Sequence, residues 1–288
     1  MVIAIYLCII LASVTQSATT KLFHRHSSSS VVFNAVKAVT AFGLFTFLSV
    51  FGFSFHWQTV LFGICYGVCL CLSMYSGYRA LCLGPMALTS MLVSFSVLLP
   101  LLWGLLVRRE SLNVWQIFAL FGLFLSLVLL NADKLRMRTD EKQQHYGRWL
   151  MFVGLTFVTN GLCSILQAEH QARYPGAYNR EFMVFAMLIC SAVFVTLLRS
   201  RIHFHEIRLA DGKRYGVLSG LANGIAGMLT LKMAGMEQAT ILFPLLSLGT
   251  LLGSLLCGKF FFGERLKMNH YIAFAVGTVA VLLLKLPA

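Results

Sequence analysis

Residues 77–112 read GYRALCLGPMALTSMLVSFSVLLPLLWGLLVRRESL, and residues 230–266 read TLKMAGMEQATILFPLLSLGTLLGSLLCGKFFFGERL. Each stretch runs from a basic residue near a helix end, through a short Gly turn and a long apolar run carrying Ser or Thr, to Glu and Leu. Glu110 pairs with Glu264, Leu112 with Leu266, Gly104 with Gly258 and Ser96 with Thr250. A one-residue shift pairs Arg79 with Lys232, and Gly63 and Gly67 with Gly216 and Gly220. Ser13 and Gln16 align more weakly with Ser164 and Gln167. An ordered series of this kind indicates that the second half of the chain duplicates the first.

The medium in which such a duplicate folds follows from composition. Of 288 residues, 58% are hydrophobic and 11% charged, where a soluble domain carries roughly 25% charged residues. A bilayer removes the need for a charged surface. Apolar runs of spanning length lie at 2–22, 32–53, 57–81, 85–107, 112–131, 148–168, 181–199, 215–235, 239–262 and 268–286. The fold class expected is all-α integral membrane, because unpaired backbone in lipid is too costly for open strands. About ten transmembrane helices fall into a first five-helix repeat at 1–131, a polar linker at 132–147 and a second repeat at 148–288. Five is odd, so the second repeat enters from the opposite face. That is an inverted-topology repeat, a common build for secondary transporters.

The residues from Met1 to Ser17 are expected to be the first membrane helix and not a cleaved signal, since the first charge is Lys21 and a signal peptide has a basic n-region. The net charge of +13 sits between the apolar runs, where it reads as topology signal and lipid-headgroup contact. No motif supports nucleic-acid binding. The eight cysteines lie in apolar stretches without CxxC or zinc spacing; they read as small apolar residues, and no metal site is expected.

Chemistry is scarce. No GxGxxG, Walker A, HExxH or GxSxG occurs, so no catalytic residue and no cofactor is expected, and any transport is secondary or facilitative. The ten carboxylates all fall in loops or near span ends. Lys37 lies about a turn and a half into the second span, and Arg79 and Lys232 near the ends of the third and eighth. Snorkelling to headgroups explains all three; contact with an anion is the functional alternative. Ser13, Gln16, Ser17 and Thr20 share one helix face, as do Asn160, Ser164 and Gln167. Polar groups in lipid need partners, so these faces point inward, either lining a solute path or joining helices. Asn223, with Ser219 a turn earlier, joins them, followed by Tyr75, Ser94 and Ser247. Gly63-x-x-x-Gly67 and Gly216-x-x-x-Gly220-x-x-x-Gly224 permit close helix approach. Glu110 and Glu264 are suited to capping or bracing turns.

Two five-helix halves, each with a Glu-Leu turn before its last helix, resemble the drug/metabolite transporter superfamily and its EamA-like branch most of all. The resembling residues are Arg109-Glu110-Ser111-Leu112 with the helix through Leu130, and Gly263-Glu264-Arg265-Leu266 with the helix through Leu284. The first copy departs from the family's Gly-Glu-Arg, having Arg-Arg-Glu. The resemblance implies export or exchange of amino acids, other metabolites or drugs through a central cavity, and both termini in the cytoplasm. The count of basic residues in alternate loops instead places both termini outside it.

The function expected is therefore a secondary transporter of a small metabolite, working by alternating access in a bacterial inner membrane. A lipid-linked flippase and a non-transporting scaffold or sensor are the alternatives. The partners expected are a small-molecule solute and membrane lipids, with a homodimer compatible with the sequence.

Overall fold

The computed structural model describes residues 2–26, 30–50, 52–83, 89, 93, 95–110, 112–135, 146–201, 210–262 and 268–283. Among them there are ten α-helices and no strand. The helices are α1 (Val2–His26), α2 (Ser30–Ser49), α3 (Trp57–Leu83), α4 (Leu98–Leu106), α5 (Val114–Leu135), α6 (Tyr146–Arg173), α7 (Asn179–Arg201), α8 (Ala210–Ala234), α9 (Ala239–Phe262) and α10 (Met268–Leu283). A 3-10 turn, Phe95–Val97, leads into α4. Seven helices, α1, α2, α3 and α6 to α9, are long and apolar enough to cross a membrane. The apolar parts of the others, Phe95–Leu106, Val114–Ser126 and Tyr271–Ala280, are shorter. The expected fourth span began at 85; much of its first half lies outside the described residues.

The outside of the helices is apolar. Leu11 is 65% exposed, Phe121 67% and Phe261 84%. Water penalises such surface, and lipid is its natural complement. The multi-pass membrane reading thus holds at the level of side chains as well as composition.

The chain divides into two compact units. The first comprises residues 1–74 and 166–236, the second residues 75–165 and 237–288. Each unit draws on both halves of the sequence.

In the first unit α8 packs on α1 and α2, and α2 on α7. Glycine sets the approach. A Cβ added at Gly216 would lie 2.8 Å from Val36 Cγ1, one at Gly220 2.6 Å from the Lys37 carbonyl oxygen, and one at Gly224 2.8 Å from Leu44 Cδ2. Numbers rise together on both helices, so α8 and α2 run parallel. A second seam has the same form. A Cβ at Gly63 would lie 2.7 Å from the Phe182 carbonyl oxygen, and one at Gly67 2.7 Å from that of Ala186. The α3 backbone therefore lies directly against α7, in parallel, with the Phe185 and Ile189 Cβ atoms also against the two glycines. The start of α7 is fixed by Glu181, which is 5% exposed and accepts a 2.8 Å hydrogen bond from the Ser54 backbone N–H. An acid in the first turn also suits the helix dipole.

In the second unit α5 packs antiparallel on α10. Ser126 Oγ donates to the Ala273 carbonyl at 2.6 Å, and a Cβ at Gly122 would meet Ala280 Cβ at 3.0 Å. Glu110 does what a capping acid does, but for a helix far away in sequence. Its carboxylate accepts from the backbone N–H groups of Ala239 and Thr240, at 3.3 and 3.1 Å, and from Thr240 Oγ1 at 2.8 Å. These satisfy the orphan donors at the N-terminus of α9. Gly104 makes room: a Cβ there would lie 2.7 Å from Glu110 Oε2. Glu264 lies outside the described residues.

Gly67→Ala and Gly220→Ala are each expected to lower stability by about 1–3 kcal/mol, because the new methyl meets a backbone carbonyl. Gly43→Ala, with nothing within 4 Å, is not. Thermal unfolding of the three variants in detergent checks this.

Candidate functional site

The expected site residues divide between the two units, and each unit is treated by itself. In the first unit the structure joins two of them. Lys37 Nζ on α2 donates to Gln16 Oε1 on α1 at 2.9 Å. Both residues lie within candidate spans, Val31–Ser49 and Val2–Thr20. Lys37 is six residues inside its span, about 9 Å at 1.5 Å per residue. Holding an ammonium at such depth costs up to about 2.5–3.5 kcal/mol on insertion scales. Its partner is a neutral amide, which shares a proton but supplies no opposite charge. The inventory is lopsided: an ammonium brings three donors and a Gln amide two, against a single carbonyl oxygen.

The other polar groups of the α1 face close on their own helix. Thr20 Oγ1 donates to the Gln16 carbonyl at 2.7 Å and Ser17 Oγ to that of Ser13 at 3.2 Å. Asn223 on α8 is half-buried. Ser219, one turn earlier, is wholly buried and its Oγ has no hydrogen-bond partner among the described residues. Gln167, 5% exposed near the end of α6, donates from Nε2 to the Tyr66 hydroxyl on α3 at 3.3 Å. Lys232 is exposed in the last turn of α8, where snorkelling accounts for it.

In the second unit Arg79 and Tyr75 come together one turn apart on α3. Arg79 Nε donates to the Tyr75 hydroxyl at 3.2 Å, and its Cζ lies 5.6 Å from the ring centroid. Asn160 on α6 donates from Nδ2 to Ser96 Oγ in the 3-10 turn at 2.7 Å. A methyl at Gly161, the next residue, would collide with the Leu99 side chain. The same face of α6 also holds Thr156, whose Oγ1 lies 2.8 Å from Ser76 Oγ, and Trp149, whose Nε1 donates to Thr89 Oγ1 at 2.9 Å. Ser164 and Ser247 are half-buried. Ser94 lies outside the described residues.

A third polar group, not anticipated from sequence, lies in the first unit where α6 ends and α3 begins. His170 is completely buried. Its Nδ1 faces Gln171 Nε2 at 3.0 Å and its Nε2 faces Thr59 Oγ1 at 3.2 Å. An amide NH₂ only donates, so Nδ1 accepts. In the neutral ring the proton is then on Nε2, which donates to Thr59. Gln171 Nε2 also donates to Asn179 Oδ1 at 2.5 Å, and its Oε1 accepts from the Gly176 N–H at 3.0 Å. The Tyr174 hydroxyl bonds to Gln58 Oε1. His56 stacks on Tyr178 with centroids 5.0 Å apart and meets Tyr174 edge-on at 4.8 Å. Tyr178, at φ 55°, and Gly176, at φ 71°, turn the chain between α6 and α7. Scattered His, Gln and Tyr at helix ends have no periodic signature, which is why this network escapes a reading by pattern.

Among the described residues no group of three or more His, Cys, Asp or Glu could hold a metal ion.

No protein-family model matches the chain, and no curated protein matches it. A solved crystal structure of a protein does share the fold. It matches at a TM-score of 0.77 and 15% identity, covering 98% of this chain and 95% of its own. A likeness at that identity defines a fold class, all-helical proteins with this arrangement of helices, and goes no further.

Gln171→Leu strands His170 Nδ1, Asn179 Oδ1 and the Gly176 N–H together. It is expected to lower stability by at least about 1–3 kcal/mol. Lys232→Ala, at an exposed position, should stay within about 0.5 kcal/mol of wild type. Chemical unfolding in detergent compares them.

Proposed function

We propose that the chain is a secondary transporter of the drug/metabolite, EamA-like kind, in which two inverted five-helix repeats carry a small polar metabolite by alternating access. The two glycine seams of the first unit support the repeat. Gly63 and Gly67 pair with Gly216 and Gly220 in sequence, and each pair sits on the second helix of the other half. Phe182 and Ala186 meet the first pair. Phe33 and Lys37 meet the second, with the Gly216 Cβ position 3.8 Å from the Phe33 carbonyl oxygen. In both seams the two carbonyls are four residues apart. Since α2 and α3 are successive spans, the seams run in opposite directions, as inversion requires.

The observation that carries the function is Lys37. In the duplicate seam its place is taken by Ala186. Packing there needs only a carbonyl and a small side chain, so packing does not explain an ammonium in the other copy. An ionisable group retained inside a span is a pointer to function. Lys37 and Gln16 together offer N–H donors to a carboxylate or other anionic group, as on an amino-acid-like solute. Such a protein has no catalytic step, and a bacterial inner membrane is the proposed location.

The test uses detergent-purified protein melted in a panel of amino acids, nucleosides, sugars, cations and lipid phosphates. A ligand bound only by the folded state stabilises it, by about 2.7 kcal/mol at a hundredfold excess over Kd. At least one anionic or zwitterionic metabolite is expected to raise the melting temperature of wild type. Lys37→Gln should abolish that rise without lowering the melting temperature of the unliganded protein. An unaltered rise in Lys37→Gln, or a response to lipid phosphates alone, would count against this reading.

A further inference from the structure

We propose that Cys71 and Cys190 form a site of reversible covalent modification, an intramolecular disulfide that ties α3 to α7. The register of the two helices sets the pair face to face. Gly63 faces Phe182 and Gly67 faces Ala186; one further turn on both helices brings Cys71 opposite Cys190. At the first two rungs glycine lets the backbones touch. At the third rung, side chains return to the seam, and both are thiols. Cys71 Sγ lies 3.3 Å from Cys190 Sγ, and Cys190 Sγ lies 3.5 Å from the Gly67 carbonyl oxygen. Both residues are buried, at 6% and 1% exposure, and neither is in a disulfide.

The close approach of the helices is what a disulfide needs. Its S–S bond is about 2.05 Å, with Cα atoms about 4.4–6.8 Å apart. Two sulfurs already in contact reach bonding distance by a rotation of one or both side chains, with little movement of the helices. Packing alone does not call for the pair. The same rung of the duplicate seam is filled by Gly224 on α8 and Ala41 on α2, and Ala41 is just as fully enclosed. Small residues suffice there, so sulfur opposite sulfur is a property of this seam and not of the arrangement.

The step balances simply. Two S–H bonds break and one S–S bond forms. The two electrons and two protons pass to an oxidant of the azodicarboxamide class, whose N=N bond becomes a hydrazine. A dithiol reductant reverses the exchange. Both thiols lie in helices that span the membrane, so the oxidant must be neutral and membrane-permeant; diamide meets that need. The cross-link leaves the rest of the seam unaltered and prevents α3 from sliding along or turning against α7. This inference does not depend on the transport reading.

The experiment uses the full chain in its own membranes, with Cys8, Cys65, Cys69, Cys82, Cys163 and Cys257 changed to Ser. Membranes are treated with diamide, dissolved in SDS and labelled with a mass-tagging maleimide. Untreated protein should take two tags. Oxidised protein should take none, recover both after dithiothreitol, and yield a linked peptide pair containing Cys71 and Cys190. Cys190→Ser should take its single tag whether oxidised or not. The wild-type chain, digested after the same oxidation, should yield the same linked pair, which guards against a fold disturbed by six substitutions. Two tags retained after oxidation, with no linked pair from wild type, would overturn the proposal. So would a wild-type linkage that joins either cysteine to another partner.

Discussion

Everything in this structure depends on the need to pair every backbone N–H and C=O in a medium that offers no water. A chain with 58% hydrophobic residues can hide from water only in lipid, and lipid admits backbone only as helix or closed barrel. Among the described residues that single constraint produces ten helices and no strand. It also dictates what happens at helix ends. The first donors of α9 go to Glu110, and the segment before α3 is tied to the first turn of α7 by Glu181, which takes the Ser54 N–H. Glu110 and Glu181 are used where backbone donors would otherwise remain unpaired.

Once helices have formed, apolar surface no longer drives them together, since lipid is as apolar as leucine. Close packing must do it, and glycine allows the closest. The α2/α8 and α3/α7 seams show the consequence: backbone lies on backbone with carbonyls 2.6–2.7 Å from where a methyl would be. Each seam joins a helix from one half of the chain to a helix from the other. The compact units consequently cut across the sequence halves.

Polar side chains within the helices fall into two kinds. Some are spent internally: Gln167 on Tyr66, Asn160 on Ser96, His170 between Gln171 and Thr59. These bind helix to helix and leave little over. Lys37 is different, because among the described residues its hydrogen bond goes to the neutral oxygen of Gln16. The seam it belongs to has a counterpart that manages with alanine. That contrast between two seams of like geometry supports the functional proposal more than burial or depth alone.

Composition and hydrophobic run lengths were enough to read off helices, their number and most of their boundaries, since the cost of burying backbone and charge in lipid acts residue by residue. The glycine spacings were legible too, and so was the role of Glu110 as a brace. Partners were not. Nothing in the spacing of Gln16 and Lys37, or of Gln167 and Tyr66, says that they meet, and Lys37 read as well as a snorkelling side chain as an inward one. The His170 network was invisible, because its members are single residues at the ends of different helices. Cys71 and Cys190 looked like two small apolar residues, 119 positions apart. Local energetics, which decide whether a segment is a helix, are written along the chain. Which helix faces which, and in what register, depends on contacts between segments far apart in sequence, and only the packed structure settled those.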